Sequence, residues 1–186
     1  MSSAIVGNGS EEIKAHLKDI PKLFLNGRPN SFAASILRRL TLAEVTIKSN
    51  VVEPQRKESL VVYTITVEED MVNGGGNIHG GCSAFLIDVC STGSIMALKI
   101  SQGVASFDVS QSLNIVYHAP ATIGENLRIV NTTMTVGRRV ASARTEIWSE
   151  THHRLSGKCV SKVRAVTHRT FDRDREKVNK TITTLR

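Results

Sequence analysis

The chain has few of the residues that characterise several large classes of protein. Only 4% of its 186 residues are aromatic, and the basic residues are not interleaved with them. A platform that stacks single-stranded nucleic acid needs such aromatic residues, so we expect no nucleic-acid partner. The three cysteines, Cys82, Cys90 and Cys159, are odd in number and form no CxxC pair. This pattern argues against a disulfide framework and is typical of a reducing compartment.

Membrane and export signals are also missing. No uninterrupted apolar run reaches about 18 residues, so we expect no integral membrane segment. The N-terminus has neither the basic-then-apolar order of a secretory signal nor the Arg-rich, acid-poor composition of a transit peptide. The cytoplasm is therefore the predicted location, with the mitochondrial matrix as the open alternative.

The chain is rich in basic residues and in apolar residues. Lys and Arg outnumber Asp and Glu by 24 to 17, a formal net charge of +7, and 40% of residues are hydrophobic. The length suits one domain with extensions, and the apolar content suits a single core. A basic surface of this kind suits a phosphorylated substrate, a membrane or nucleic acid, and the scarcity of aromatic residues speaks against the last.

The order of the apolar patterns predicts an α+β fold. Alternating stretches typical of strands lie on both sides of one long apolar helix at residues 82–98. These stretches cover residues 42–47, 60–67, 107–117, 126–136, 140–149 and 159–170. Strands, one buried helix and a further run of strands indicate a curved antiparallel β-sheet wrapped around a long central helix.

We divide the chain into one domain and two flanking segments. Residues 1–30 form an N-terminal extension that is partly disordered or helical, residues 31–170 form the domain, and residues 171–186 form a charged tail. In the extension, Ser10 caps a predicted short helix over residues 11–18.

Two further features mark the boundary between extension and domain. Pro21 is expected to end the first helix. From residue 31 to residue 40 an amphipathic pattern, with two arginines outward, predicts a helix packed over the sheet edge. The alternative is a basic helix that faces a membrane or the substrate.

The stretch that carries most of the chemistry leads into the long helix. A glycine-rich loop runs from Asn73 through His79-Gly80-Gly81, and the helix that follows holds one carboxylate, Asp88, within its apolar run. A buried carboxylate is unfavourable unless it is paired or used. The first N–H groups of a helix lack internal partners and can hold an anion or a polarised carbonyl oxygen, and Asn73 and His79 add side-chain donors.

The spacing within this stretch predicts a shared site. His79 and Asp88 are nine positions apart, which is about 13 Å along a helix, so both cannot touch one reacting carbon. Two copies with antiparallel helices would bring the helix start of one copy to the Asp88 of the other. The plainer alternative is a carboxylate satisfied by a nearby hydroxyl such as that of Thr92.

The motifs together resemble a known family. His-Gly-Gly at 79–81, Asp88 nine residues after the histidine, a strand with serine and then Asn-Ile-x-Tyr-x-x-Pro at 114–120 are similar to the hotdog-fold acyl-CoA thioesterases of the PaaI type. The animal "thioesterase superfamily member" hydrolases belong to the same group. The resemblance covers about residues 31–169. It implies the hotdog fold, hydrolysis of acyl-CoA without a cofactor, and a homodimer or homotetramer.

The resemblance also implies roles for individual residues. The N–H of Gly80 and the side chain of Asn73 would polarise the thioester carbonyl, and His79 would support the site. Apart from the resemblance, the plainer interpretation of His79 is a residue near the helix N-cap that donates to the loop backbone, and it is compatible with the site role. Asp88 of the partner subunit would activate or direct water with help from Ser110, either as a general base or through a transient anhydride.

Several neighbouring residues complete the set of candidates. Ser106 and Ser112 lie on the same stretch as the catalytic serine and are alternatives to it. Gly81 is a second helix-start N–H for substrate. Arg138 and Arg139, in a strand turn, suit the phosphates of coenzyme A, with an exposed basic turn as the alternative.

No metal site is expected, because the remaining histidines and cysteines lack a ligand spacing. Two other functions stay open from the sequence. One is a module that binds acyl-CoA without catalysis, and the other is a hydratase or dehydratase on the same fold.

Overall fold

A computed structural model describes residues 4–104 and 108–165 of the chain. The predicted tail at 171–186 and the alternative serine, Ser106, lie outside these residues. The helices are α1 (Glu11–Lys18), α2 (Ile20–Leu25), α3 (Ala34–Arg39) and α4 (Gly80–Ser101), with a 3₁₀ turn at Glu69–Met71. The strands are β1 (Thr41–Ser49), β2 (Lys57–Thr66), β3 (Asp108–Tyr117), β4 (Asn126–Val136), β5 (Val140–Ser149) and β6 (Arg154–Ala165).

The six strands form one sheet in the order β1-β2-β4-β5-β6-β3, and every neighbouring pair is antiparallel. The predicted sheet and central helix are confirmed. The largest difference is at β6, which begins at Arg154 rather than near Cys159 because it continues directly from the hairpin after β5. Within the part of the chain that the structure describes, β3 pairs only with β6, so β3 is an edge strand.

Helix α4 packs on the inner face of this sheet. Its buried residues include Leu86, Ile87 and Cys90, which belong to one core cluster with residues of β2 and β4. A Cβ atom on Gly93 would lie 2.6 Å from the hydroxyl oxygen of the buried Tyr63, closer than real contacts allow. The small residues of the helix therefore let the sheet approach its backbone closely.

The length and composition of α4 are also those of a membrane span, a property of no other helix among the described residues. Of its most apolar 18-residue stretch, 67% is buried inside the fold, as expected for the core helix of a sheet that surrounds it. Asp88 and several small polar residues interrupt the stretch, so the sequence showed no continuous apolar run.

The N-terminal helices pack onto the same core. Ser10 Oγ accepts a hydrogen bond from the Ile13 N–H at 3.3 Å, which confirms the predicted cap of α1. Helix α1 ends at Lys18, as predicted, but Pro21 also begins a helix that the sequence did not predict: it lies in the first turn of α2, where its missing N–H is not needed. Ile13 and Leu17 are buried and extend the core beneath α1.

Candidate active site

His79 is the residue that caps the N-terminus of α4. Its backbone is extended, with φ −67° and ψ 135°, and its Nδ1 accepts a hydrogen bond from the Gly81 N–H at 2.9 Å. We expected the ring to donate to the loop backbone, but it accepts instead, so in the neutral ring the proton lies on Nε2. The His79 N–H donates to the Met71 carbonyl at 2.8 Å, which anchors the cap to the 3₁₀ turn.

The peptide plane between Gly80 and Gly81 is held at both ends. Its N–H is the one that donates to His79, and its carbonyl oxygen accepts a hydrogen bond from Tyr117 Oη at 3.0 Å. The Gly81 N–H is therefore already used in this conformation. The Gly80 N–H has no hydrogen-bond acceptor within residues 4–104 and 108–165, so it is the glycine donor that remains available. Tyr117 stood in the sequence motif without an assigned role.

Hydrogen bonds to Asn73 hold the loop before the helix in shape. Its Oδ1 accepts hydrogen bonds from the Gly75 N–H at 2.9 Å and the Asn77 N–H at 3.4 Å. Its own N–H donates to the Asn77 carbonyl at 2.8 Å, and Gly76 turns the chain with a φ of +74°. Asn73 is exposed, its amide oxygen is engaged, and within residues 4–104 and 108–165 its Nδ2 group makes no hydrogen bond, so Nδ2 is the available end of the side chain.

Asp88 forms the second part of the candidate site. It is half-buried on α4, and its Oδ1 accepts a hydrogen bond from Ser110 Oγ on β3. The Thr92 hydroxyl donates to the Asp88 backbone carbonyl at 3.1 Å, so it does not satisfy the carboxylate. Ser112 lies beyond a shift in register and is exposed on the other face of β3, which leaves Ser110 as the serine that meets Asp88.

One chain thus holds two separate groups of candidate residues. Asp88 follows Gly80 by eight positions, or about 12 Å along α4. The structure brings Asp88 together with Ser110, and it brings Asn73 and His79 together with Gly80. A thioester carbonyl that binds at Gly80 cannot reach the carboxylate of the same chain.

The two arginines lie at the same end of the sheet as Ser110. Val163 on β6 is paired with both Ser110 and Ala141, so Ala141 is two strand spacings, about 10 Å, from the serine, and the turn that holds Arg138 and Arg139 directly precedes that part of β5. Both arginines are exposed, and in the described part of the chain neither makes a hydrogen bond or ion pair. They are free to bind an anionic group of a ligand.

The described residues do not favour a cysteine nucleophile or a metal site. All three cysteines are free thiols; burial raises the pKa of Cys82 to about 11 and raises those of Cys90 and Cys159. A thiol with so high a pKa is a poor nucleophile at neutral pH. Among the residues described, no group of three or more His, Cys, Asp or Glu side chains is placed to hold a metal ion.

Comparisons with known proteins agree on one family. The sequence profile described as Thioesterase superfamily matches residues 75–156. Acyl-coenzyme A thioesterase 13 of Mus musculus is 33% identical over 108 residues, which is 58% of this chain and 71% of that protein.

Two solved structures share the architecture of the chain. Zebra fish Thioesterase Superfamily Member 2 superposes with a TM-score of 0.62 at 24% identity, over 81% of this chain and 98% of that one. The PaaI protein of E. coli superposes with a TM-score of 0.57 at 15% identity, over 81% and 96%. These superpositions and the sheet wrapped around α4 show the hotdog fold, and the 33% identity to acyl-coenzyme A thioesterase 13 over 71% of its length, with the matching profile, shows that the chain belongs to the thioesterase superfamily.

Proposed function

We propose that this protein is an acyl-CoA thioesterase, which hydrolyses acyl-CoA to a free acid and coenzyme A. The observation that supports this most directly is that the structure holds both a carboxylate paired with a serine, Asp88 with Ser110, and a helix N-terminus whose Gly80 N–H is available. Hydrolysis of a thioester needs a group that directs water and a group that stabilises an oxyanion, and these are the two groups present. The relative named acyl-coenzyme A thioesterase 13 supports the same substrate class.

The reaction follows from these two groups. Asp88, oriented by Ser110, accepts a proton from water while the water oxygen bonds to the thioester carbon. The carbonyl oxygen becomes an oxyanion, which the Gly80 N–H and Asn73 Nδ2 stabilise. The C–S bond then breaks, and the proton passes to the departing thiolate of coenzyme A. An alternative first step, in which Asp88 itself attacks and forms an anhydride, leads to the same products.

The separation of the two groups supports a homodimer. The free edge of β3 offers unpaired backbone groups to a second β3, and an antiparallel pairing would place the two α4 helices antiparallel. Each Asp88 would then face the helix start of the partner. The stripe of α4 that the sheet leaves half-buried includes Phe85, Asp88, Thr92 and Met96, and a partner would cover it. A dimer of such dimers is the proposed larger assembly.

The substrate would lie between the exposed arginines and an aromatic pair. Arg138 and Arg139 would bind the phosphates of coenzyme A at the end of the sheet near Ser110. Phe32 is 80% exposed and meets the ring of Phe85 edge-on, with centroids 5.3 Å apart. Phe85 is one helical turn before Asp88, so the pair provides an apolar surface for the acyl chain next to the reacting carbon.

Location and domain limits are also proposals. We place the protein in the cytoplasm or the mitochondrial matrix, because its free thiols suit a reducing compartment. We place the hotdog domain at residues 31–170, between an N-terminal extension at 1–30 and a charged tail at 171–186.

The experiment that tests the function is thiol release from short, medium, long and aromatic acyl-CoAs. Asp88→Asn keeps the size of the side chain and removes its charge, so kcat is expected to fall about 10²–10⁴-fold. Glu146→Gln, on the outer face of β5, is the control and should keep full turnover. Full turnover by Asp88→Asn would refute the mechanism.

Two other outcomes would replace the proposal. Binding of acyl-CoA in calorimetry without thiol release would show a binding module, and a change in enoyl-thioester absorbance without thiol release would show a hydratase.

A further inference from the structure

Glu125 is a buried carboxylate that the proposed reaction does not use. It lies just before β4 and only 3% of its surface is exposed. The groups around it come from the loop before β4 and the turn between β5 and β6. A buried charge in such a position calls for a specific set of partners.

Five groups surround the carboxylate. Its Oε1 accepts hydrogen bonds from the Thr122 N–H at 2.9 Å, the Thr122 hydroxyl at 3.0 Å and Arg154 Nη2 at 3.4 Å. Its Oε2 accepts from the Ser149 hydroxyl at 2.5 Å, and His152 Nε2 lies 3.6 Å from Oε1. Burial would raise the pKa of Glu125, but the hydrogen bonds from Ser149 and Thr122 hold it below its usual value.

The segment that Glu125 holds is the one that supports the loop of Asn73. Thr122 forms a backbone bridge with Asn77, and the Ile78 N–H donates to the Ala121 carbonyl at 2.7 Å. The Asn77 carbonyl in turn accepts a hydrogen bond from the Asn73 N–H at 2.8 Å. A continuous chain of hydrogen bonds therefore runs from the carboxylate to the backbone of Asn73, whose side-chain amide would hold the thioester oxygen.

An ionised carboxylate suits this position best. It accepts at both oxygens, two of its neighbours, the Thr122 N–H and Arg154 Nη2, can only donate, and the two hydroxyls donate to it. An alanine would leave the Thr122 N–H, which is fixed in the turn, without its acceptor. The turn would then be free to relax, and the loop paired with it would relax as well.

We propose that Glu125 is a positioning residue of the thioesterase site, which acts through Thr122 to hold the Asn73 loop in the geometry that binds the oxyanion. This inference rests on the proposed function. Misplacement of a positioned group by about 1 Å can lower the rate about 10²-fold. A residue that acts in this way affects kcat more than KM, because the loop matters most in the transition state.

The test is a double-mutant cycle between Glu125→Ala and Asn73→Ala. On its own, Glu125→Ala is expected to lower kcat per folded molecule about 10–100-fold with KM changed less than about threefold. In the Asn73→Ala background the same substitution should lower kcat less than about threefold, because the group it positions is absent. Glu58→Ala, a partly buried carboxylate near the β1–β2 turn, is the matched control and should leave kcat unchanged.

Milder variants keep the test valid if Glu125→Ala fails to fold. Glu125→Gln retains one carbonyl oxygen for the Thr122 N–H and should recover part of the lost kcat. Thr122→Val removes only the hydroxyl contact and should lower kcat less than Glu125→Ala does. Unchanged kcat in the Glu125 variants, or fully additive losses with Asn73→Ala, would overturn the proposal.

A second readout separates this proposal from the function it rests on. Amide hydrogen exchange across residues 73–78 should be faster in Glu125→Gln and Glu125→Ala than in the wild type, and unchanged in Glu58→Ala. Unaltered exchange there would overturn the positioning role. Absence of thiol release from the wild type would refute the proposed function instead, while the exchange result would still decide whether Glu125 holds the loop.

Discussion

Replacement of Gly80 by proline removes one N–H group from the candidate oxyanion site and changes little else. Gly80 is the first residue of α4, where proline is well tolerated because no intrahelical bond is lost. The preceding residue, His79, already has the extended backbone that proline requires. A Cβ atom on Gly80 would lie 3.4 Å from the ring of Tyr117, an ordinary van der Waals contact.

The expected loss of activity follows from the hydrogen bonds at the helix start. Removal of one oxyanion donor lowers kcat about 10²–10³-fold, or about 2.7–4 kcal/mol. The Gly81 N–H cannot take over, because it donates to His79 Nδ1 at 2.9 Å. Asn73 remains, so residual turnover is expected. KM should change little, since this donor acts mainly on the charge that develops in the transition state.

The assay compares thiol release by the wild type, Gly80→Ala and Gly80→Pro. The alanine variant adds the same Cβ contact but keeps the N–H, so its kcat should stay within about threefold of the wild type. Thermal unfolding of all three checks that α4 is intact. A proline variant with full turnover would refute the assignment, and equal losses in both variants would trace the effect to the contact with Tyr117.

Substitutions at three residues, His79, Gly93 and Asp70, test the fold around the site. His79→Ala should lose about 1 kcal/mol of stability, whereas His79→Asn keeps an N-cap acceptor and should lose less; equal melting temperatures would contradict the cap. Gly93→Ala brings a methyl group against Tyr63, which should cost about 1–3 kcal/mol of folding stability, and alanine returns about 1 kcal/mol through its better helix propensity. A variant more stable than the wild type in denaturant unfolding would contradict the close contact with Tyr63. The hydrogen bond from Arg39 lowers the pKa of Asp70 from its ordinary 3.8. The stability that this ion pair contributes is therefore present above pH 3.8 and is lost as the pH falls below it. Asp70→Asn should therefore reduce the acid loss of stability, as measured by unfolding at pH 6 and pH 3.

Local sequence patterns predicted the elements of the fold but not their arrangement. Strands show a period of two and the core helix is apolar, and both properties are visible within a short window of residues. The pairing of β2 with β4 and the place of β3 at the edge depend on contacts between distant segments. The position of β3 matters most for the proposed dimer, which would pair two copies through this edge strand.

For the candidate site too, the sequence predicted the local features and not those that depend on distant contacts. The residue types and the spacing of His79 and Asp88 followed from the sequence, and the second subunit that this spacing predicts stays a proposal. The resemblance assigned Ser110, but the strand pattern left Ser112 open, because a bulge shifts the alternation of β3 and turns only one of the two serines towards α4. Glu125 was also missed, since it stands in the sequence as a single polar residue beside a turn glycine.

A mixture of two inactive variants tests whether the site is shared between subunits. In a dimer of Asp88→Asn with Gly80→Pro, one site combines both defects, and the other has an intact Asp88 and an intact Gly80. Random exchange of subunits makes about half of the dimers mixed, each with one working site, so activity should rise to about a quarter of the wild type. If each chain instead carried a complete site, no combination would contain an intact one, and the mixture would stay inactive. Recovery of activity after co-refolding, with two Asp88→Asn preparations as the control, would show that the 12 Å between Gly80 and Asp88 is bridged by the partner chain rather than by movement within one.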